Sequence, residues 1–252
     1  MTYTYDGTFI GFLSVIFETY RLKQAPENII PESEHQPGLF GSVLFVPTQP
    51  DNAARVVKGL NKRCGDGSKR FMYHCFLSEQ SRIEMMLYGL VALAVESKEN
   101  VLENFREPVI RQLHRIERQM HREVHRMHAF VRFQKNQDEL YVAFISPDFN
   151  VLPLLEPHFR SRYPAMRWLI YDTKRHYGLY YESPSARFVT LEDNTHRIVS
   201  EQMLTSDESE YQRLWQTYFE SVDIPERRNL KLHLQHVPRR YWKYLIEKQD
   251  MR

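Results

Sequence analysis

Arginine side chains recur along residues 108–127 at spacings of 4, 3, 4 and 4. Successive residues of an α-helix are rotated by about 100°, so these spacings place the arginines on one helical face. The arginines are Arg111, Arg115, Arg118, Arg122 and Arg126. A planar guanidinium group can bind a phosphate through two parallel hydrogen bonds. The segment therefore predicts an anion-binding helix, and the alternatives are a solvated face or arginines paired with carboxylates elsewhere in the fold.

The rest of this predicted helix carries apolar residues and histidines. The apolar residues, which predict packing on a core, are Val109, Leu113, Ile116, Met120, Val124 and Met127. His121 and His125 lie one turn apart, a spacing that can hold a metal ion, but Arg122 stands where a zinc protease has glutamate. Because no other nearby ligand completes a site, we expect neither a metal nor a cofactor.

A second group of residues with chemical potential follows an apolar predicted strand. It consists of Asp172, Lys174, Arg175 and His176. Lys174 and Arg175 could bind an anion, whereas Asp172 and His176, or His125 from the helix, are candidates for catalytic acid–base groups. The alternative is an ordinary polar hairpin turn, in which these residue types are common.

Basic and aromatic residues alternate near the end of the sequence and also after the arginine helix. The C-terminal set is Arg239, Arg240, Tyr241 and Trp242, and the earlier set is Phe130 and Arg132. Aromatic rings beside cations suit the stacking of nucleic-acid bases. As an alternative, Trp242 simply anchors a final helix to the core, and Arg132 is a solvated residue of a half-buried strand.

Composition limits the class of protein. The chain has 252 residues and a formal net charge of +2, so a nucleic-acid site must be a local basic patch. Cys64 and Cys75 are the two cysteines, and no Cys-x-x-Cys pair for an iron–sulfur cluster or a zinc ribbon occurs. The most apolar run, residues 85–95, is too short to span a bilayer. We expect a cytoplasmic protein without a membrane partner.

The elements that must position these residues change character along the chain. The first half predicts strands at 2–5 and 42–46 and an irregular surface segment at 24–41. It also predicts a first helix whose N-cap is Asp6 or Thr8, and three further helices at 51–62, 69–95 and 108–127. The second half predicts strands at 129–134, 140–145, 167–171, 177–182 and 187–191, and helices at 150–163, 207–221 and 238–248.

These elements predict an α+β protein. A helical N-terminal half would pack on an antiparallel β-β-α-β-β sheet unit with C-terminal helices. Because no low-complexity linker separates the halves, we expect one compact domain over residues 1–252. Its possible sub-structure is a mainly helical part, 1–127, and an α+β part, 128–252.

Separated motifs give the chain a family resemblance over nearly its whole length. In order they are Tyr5-Asp6-Gly7-Thr8-Phe9, His125-Arg126-Met127 with Phe130-Val131-Arg132-Phe133, Pro157-His158-Phe159 with Arg162, Trp168-Leu169-Ile170-Tyr171-Asp172 with Lys174-Arg175, and Pro238-Arg239-Arg240-Tyr241-Trp242. The chain resembles a bacterial family of DNA metabolism or repair proteins, a domain of unknown function. The resemblance implies a radical S-adenosylmethionine (radical SAM) protein as partner, and a similar domain occurs fused to uracil-DNA glycosylase-like domains.

No catalytic residue carries over from this resemblance, because the activity of the family is unassigned. The leading expectation is a DNA-binding accessory protein in DNA repair or modification that acts with a radical SAM enzyme. One alternative is a hydrolase that cleaves a nucleobase or the backbone of nucleic acid, so whether the protein is an enzyme stays open. Another is a protein-interaction scaffold without affinity for DNA, whose arginine face meets an acidic partner.

Overall fold

The computed structural model describes residues 1–36, 42–97, 99–136, 138–190, 213–214, 217, 230–245 and 248. The chain divides into two compact units, Met1–His121 and Arg122–Arg252. The organisation as one domain over 1–252 stays a prediction, as does its subdivision at residue 127. Within the described part of the chain, no helix is long and apolar enough to cross a membrane.

A three-stranded parallel sheet forms the centre of the first unit. Its strands are β1 (Thr2–Tyr5), β2 (Asn28–Pro31) and β3 (Val43–Phe45), in the order β2-β1-β3. Tyr3 and Tyr5 of the central strand are fully buried. The prediction of an irregular surface segment over 24–41 is wrong at β2, because Ile29 is buried and the strand ends at Pro31 on the sheet edge, where a missing N–H is tolerated.

Helix α1 (Phe9–Leu22) begins at Thr8. The hydroxyl of Thr8 accepts a hydrogen bond from the Gly11 N–H at 2.9 Å, which satisfies a donor of the first turn. Asp6 in turn accepts hydrogen bonds from the Thr8 N–H at 2.9 Å and the Thr8 hydroxyl at 2.7 Å. Of the two predicted caps, Thr8 is therefore the N-cap, and Asp6 holds it in place.

Three further helices, α2 (Pro50–Cys64), α3 (Ser68–Phe76) and α4 (Ile83–Glu96), complete the core of the first unit. The prediction of one helix over 69–95 is wrong, because the chain turns between α3 and α4 with Glu79 and Arg82 at positive φ. The turn allows both helices to bury apolar side chains in the same core.

The arginine-bearing helix is α5 (Pro108–Phe130), which begins in the first unit and ends in the second. Its buried apolar residues are Ile110, Leu113, Ile116, Met120 and Met127. The ring centres of Phe130 and Tyr241 are 5.5 Å apart. The predicted strand over 129–134 is wrong before Gln134, because the helix continues to Phe130 and residues 131–133 belong to no strand. Phe130 and Arg132 therefore do not share the face of a strand.

A five-stranded sheet forms the second unit, in the order β4-β5-β6-β7-β8. The strands are β4 (Gln134–Lys135), β5 (Tyr141–Ile145), β6 (Trp168–Asp172), β7 (Tyr177–Glu182) and β8 (Ser185–Val189), and α6 (Leu152–Arg162) connects β5 with β6. The predicted α+β class is confirmed. One detail of the antiparallel unit is wrong, because β5 and β6 pair in parallel through the helical crossover.

The C-terminal part of the second unit contains α7 (Leu230–His236) and a 3-10 helix (Arg239–Tyr244). The 3-10 helix takes the place of the α-helix predicted over 238–248. The helix predicted over 207–221 lies almost wholly outside the described residues; residues 213, 214 and 217 of it are described, and all are helical.

Gly178 of β7 lies too close to β6 for a side chain. A Cβ atom at Gly178 would be 2.7 Å from Leu169 Cδ1 and 3.2 Å from the carbonyl oxygen of Ile170. We expect Gly178→Ala to lower the free energy of unfolding by about 2 kcal/mol, since a packed sheet must shift to admit it. Urea denaturation followed by circular dichroism measures this.

Gly59 provides the matched control, because a Cβ atom there meets nothing within 4 Å on the exposed side of α2. Gly59→Ala should raise the free energy of unfolding by up to about 1 kcal/mol, as expected for an exposed helical position. Equal effects of the two substitutions would contradict the close approach of β6 and β7.

Candidate functional site

A buried carboxylate, Glu123, lies on the core face of α5 in the second unit and is 1% exposed. Its Oε1 accepts a hydrogen bond from the Asp148 N–H at 2.9 Å, and its Oε2 accepts one from Arg240 Nη2 at 2.8 Å. Glu123 is not among the residues predicted from the sequence, although its spacing from Met120 and Met127 places it on the apolar face of the helix. A carboxylate on such a face requires a partner, because an unpaired buried charge is very costly.

Arg240 is that partner, and it connects three parts of the second unit. Besides Glu123, its Nη2 donates to the Tyr241 hydroxyl at 2.6 Å, and its Nη1 lies 2.9 Å from Asp148 Oδ2. Burial raises the pKa of the Tyr241 hydroxyl, and the hydrogen bond and charge of Glu123 raise it further, so the phenol stays protonated. These contacts join the end of α5, the loop after β5 and the 3-10 helix.

Asp172 organises the turn after β6. It is 0% exposed, and its Oδ1 accepts hydrogen bonds from the N–H groups of Lys174 at 2.9 Å and Arg175 at 3.3 Å. Its Oδ2 accepts a hydrogen bond from Arg175 Nη1 at 2.9 Å. His176 closes the turn in the left-handed conformation, with a φ of 57°. This arrangement favours a positioning role for Asp172, and its catalytic role stays a prediction.

The turn after β6 meets the loop after β5. Lys174 Nζ and Arg175 Nη2 each donate to the Asp148 carbonyl at 3.0 Å, and Arg175 Nη1 donates to the Pro147 carbonyl at 3.2 Å. The parallel register places Ile145 opposite Asp172, so both strands end at the same edge of the sheet. Loops at such an edge are a common place for ligand sites in sheets that contain parallel strands.

An open pocket of about 640 Å³ lies between these loops and the 3-10 helix. It is lined by Ser146, Pro147, Asp148, Lys174, Arg239, Arg240, Trp242 and Lys243, which include four cations and one carboxylate. The Arg239 guanidinium lies 5.9 Å from the centre of the Trp242 ring, and the Trp242 Nε1–H donates to the Val237 carbonyl at 3.0 Å. We call this feature the basic pocket.

The structure brings several of the predicted nucleic-acid-binding residues together and leaves others apart. The basic pocket is lined by four of them: Lys174, Arg239, Arg240 and Trp242. Arg175 and Tyr241 contact lining residues, since Arg175 donates to the Asp148 carbonyl and Tyr241 accepts from Arg240. Arg132 instead donates to the Ala129 carbonyl at 2.7 Å and caps the end of α5. Lys243, which directly follows Trp242 in the C-terminal basic and aromatic segment, also lines the pocket, although it is not among the predicted nucleic-acid-binding residues.

The arginines of α5 are distributed over both units. Arg111, Arg115 and Arg118 belong to the first unit and are exposed. Arg111 Nη1 donates to the carbonyls of Phe105 at 2.7 Å and Arg106 at 2.8 Å, and so ties the helix to the turn before it. In the second unit, Arg122 is exposed, whereas Arg126 is half-buried and donates to the Gln235 carbonyl at 3.3 Å.

Histidines of the second unit include a stacked pair, His128 and His158, whose ring centres are 3.9 Å apart. Nε2 of His128 is buried and has no hydrogen-bond partner among the described residues. Burial, together with His158 and His125, lowers the pKa of His128 to about 4. His125 and His176, the other histidines considered as acid–base groups, are exposed.

A family model described as a domain of unknown function (DUF4130) matches residues 81–247, about two thirds of the chain. The matched range contains Glu123 and every residue that lines the basic pocket. No curated protein and no solved structure is significantly similar to the chain. The predicted membership of a family with a domain of unknown function is thereby confirmed.

Removal of the Glu123 charge should weaken the second unit. Glu123→Gln keeps the shape of the side chain but leaves Arg240 without its buried counter-charge, so we expect the free energy of unfolding to fall by about 2 kcal/mol. The loss stays below that of a fully buried pair, because the Arg240 side chain is 38% exposed. Urea denaturation measures the change.

Glu182→Gln is the matched control, since Glu182 is exposed and lies 3.6 Å from Arg167. Loss of such a surface pair should cost less than about 0.5 kcal/mol. A Glu123→Gln variant as stable as the Glu182→Gln variant would show that the buried pair does not hold the unit together.

The stacked histidines should make stability depend on pH. The unfolded chain protonates His128 near its ordinary pKa of 6.5, whereas the folded chain does so near 4, so stability falls as the pH drops between these values. In His128→Phe, which keeps an aromatic ring, this loss should shrink by about 1 kcal/mol, a value reduced for solvent screening. Urea denaturation at pH 7 and pH 4.5 measures the loss of unfolding free energy between these pH values. As a control, His236→Gln at an exposed position should leave this loss as it is in the parent.

Proposed function

We propose that the chain, which belongs to the family described as a domain of unknown function (DUF4130), binds nucleic acid through the basic pocket. One observation carries the proposal: four cations and the Trp242 ring line one open pocket that contains one carboxylate. The chain as a whole has a formal charge of only +2, so this concentration of positive charge is a local property. Local basic patches that contain aromatic rings are typical of proteins that bind the backbone and bases of nucleic acid.

The charges of the pocket favour a phosphate. Arg240 lies against two carboxylates, Glu123 and Asp148, so the excess positive charge comes from Arg239, Lys174 and Lys243. Lys174 donates a hydrogen bond to the Asp148 carbonyl, which is neutral, so this contact does not neutralise the positive charge of Lys174. Arginine and lysine side chains that line one pocket can contact phosphates of a nucleic-acid backbone.

The indole of Trp242 gives the pocket a surface for a base. Its Nε1–H donates to the Val237 carbonyl, and this hydrogen bond helps to fix the plane of the ring. Stacking of a base on an aromatic ring contributes about 1–3 kcal/mol and tolerates any sequence. A single-stranded or locally opened nucleic acid is therefore the preferred ligand, because its bases are accessible.

The biological setting that we propose follows from the family resemblance. The protein would act in the bacterial cytoplasm as an accessory protein in DNA repair or modification, and would hold DNA for a partner radical SAM enzyme. The absence of a Cys-x-x-Cys motif from the sequence supports a role beside such an enzyme. The burial of Asp172 under its own turn favours a binding role over hydrolysis.

Binding of fluorescently labelled oligonucleotides tests the proposal. The double variant Arg239→Gln with Lys243→Gln removes two exposed charges from the pocket, and we expect it to bind single-stranded DNA about tenfold more weakly at moderate salt. The slope of log affinity against log salt concentration should also fall by about 1 to 2, the number of lost phosphate contacts. Fluorescence anisotropy over a series of salt concentrations gives both quantities.

Arg187→Gln is the matched control, because Arg187 is an exposed arginine over the Tyr180 ring, 5.1 Å from its centre, as Arg239 is over Trp242. The triple variant Arg115→Ala, Arg118→Ala and Arg122→Ala tests the exposed face of α5 in the same assay. The pocket would be excluded as the binding site if the double variant bound like the parent, and a loss confined to the triple variant would assign binding to the helix.

A further inference from the structure

Three side chains that can ligate a metal ion converge in the first unit. His74 lies on α3, and Glu117 and His121 lie one helical turn apart on α5. Each offers one ligand atom, and these atoms all lie within 4.8 Å of one another. His121 Nε2 is 3.4 Å from Glu117 Oε1, and the rings of His74 and His121 have centres 5.0 Å apart at 80°.

The distances require little movement to form a coordination shell. In a tetrahedral zinc site with metal–ligand bonds near 2.1 Å, neighbouring ligand atoms lie about 3.4 Å apart. His121 and Glu117 already have that separation. Since all three ligand atoms lie within 4.8 Å of one another, the ligand atom of His74 has at most about 1.4 Å to move toward the others to reach the same separation.

The state of His74 supports a ligand at this place. Its side chain is 8% exposed, and Nδ1 is buried with no hydrogen-bond partner among the described residues. Buried polar atoms nearly always have partners, so an orphaned imidazole nitrogen calls for one.

Neighbouring residues hold the cluster and leave one side open. Nε2 of His114 lies 2.8 Å from the Leu102 carbonyl, which can only accept, so this nitrogen carries a proton. Nδ1 of the same ring lies 3.8 Å from Glu117 Oε2, so the His114 ring packs beside the carboxylate. His121 is 57% exposed, so an ion can enter from solvent.

We propose that His74, Glu117 and His121 form a binding site for a divalent transition-metal ion of the zinc class. Two imidazoles and one carboxylate suit Zn²⁺ and similar ions, whereas Mg²⁺ and Ca²⁺ prefer ligand sets made of oxygen. Three protein ligands leave a fourth position for water or a substrate atom, the pattern of zinc sites that take part in reactions. The sequence predicts no metal and offers only the His121–His125 pair for comparison; the proposed site instead joins His121 with Glu117 and His74.

Titration of the metal-depleted, tag-free 252-residue protein with Zn²⁺ in competition with a chromophoric chelator tests the site. We expect one high-affinity ion per chain. His121→Ala, an exposed position that should not disturb folding, should weaken binding by about 100-fold, and Glu117→Gln should have a similar effect. Binding of Co²⁺ should give a visible absorption spectrum that both variants lose.

His125→Ala is the matched control, because His125 is an exposed histidine one turn further along α5. It should bind Zn²⁺ like the parent. The proposal is overturned if the parent binds no ion, if His121→Ala binds as tightly as the parent, or if His125→Ala loses binding to the same extent as His121→Ala. His74→Ala adds a second check: its circular dichroism spectrum should match that of the parent while its affinity for Zn²⁺ falls. None of these outcomes depends on DNA binding by the second unit.

Discussion

The buried pair of Glu123 and Arg240 is the interaction on which the candidate site depends. A carboxylate that is removed from water on the core face of α5 is stable only beside a cation, and Arg240 supplies that charge at 2.8 Å. Because Arg240 lies within the 3-10 helix, its pairing with Glu123 holds that helix against α5. Arg239 and Lys243 are then carried to the wall of the basic pocket, although neither contributes to the pair.

A second constraint comes from the parallel pairing of β5 and β6. Because the two strands run in the same direction, the loop that follows β5 and the turn that follows β6 leave the sheet at one edge. Asp172 holds its turn by accepting hydrogen bonds from two backbone N–H groups and from Arg175, which reaches the loop at Pro147 and Asp148. Lys174 and Arg240 both contact Asp148 of this loop, Lys174 through the backbone carbonyl and Arg240 through the side-chain carboxylate.

The two units present different chemistry. Cations and an indole in the second unit suit an anionic ligand with an aromatic part, whereas imidazoles and a carboxylate in the first unit suit a borderline divalent cation such as Zn²⁺. In both places, helix α5 supplies acidic side chains whose partners come from distant segments. Glu117 meets His74, and Glu123 meets Arg240, which is 117 residues away in the sequence.

The sequence by itself determined what depends on neighbours along the chain. It predicted the α+β class, an N-cap at Asp6 or Thr8, and the amphipathic helix that begins near Pro108, because caps and helical periodicity are local. Tertiary structure alone decided that Glu123 is buried and paired, that β5 and β6 are parallel, and that His74 joins His121. The break between α3 and α4 also belongs to this group, since packing on a common core outweighs helical propensity over residues 77–82. The physical reason is that burial and long-range pairing follow from which segments meet in space, and the spacing of residue types does not encode those meetings.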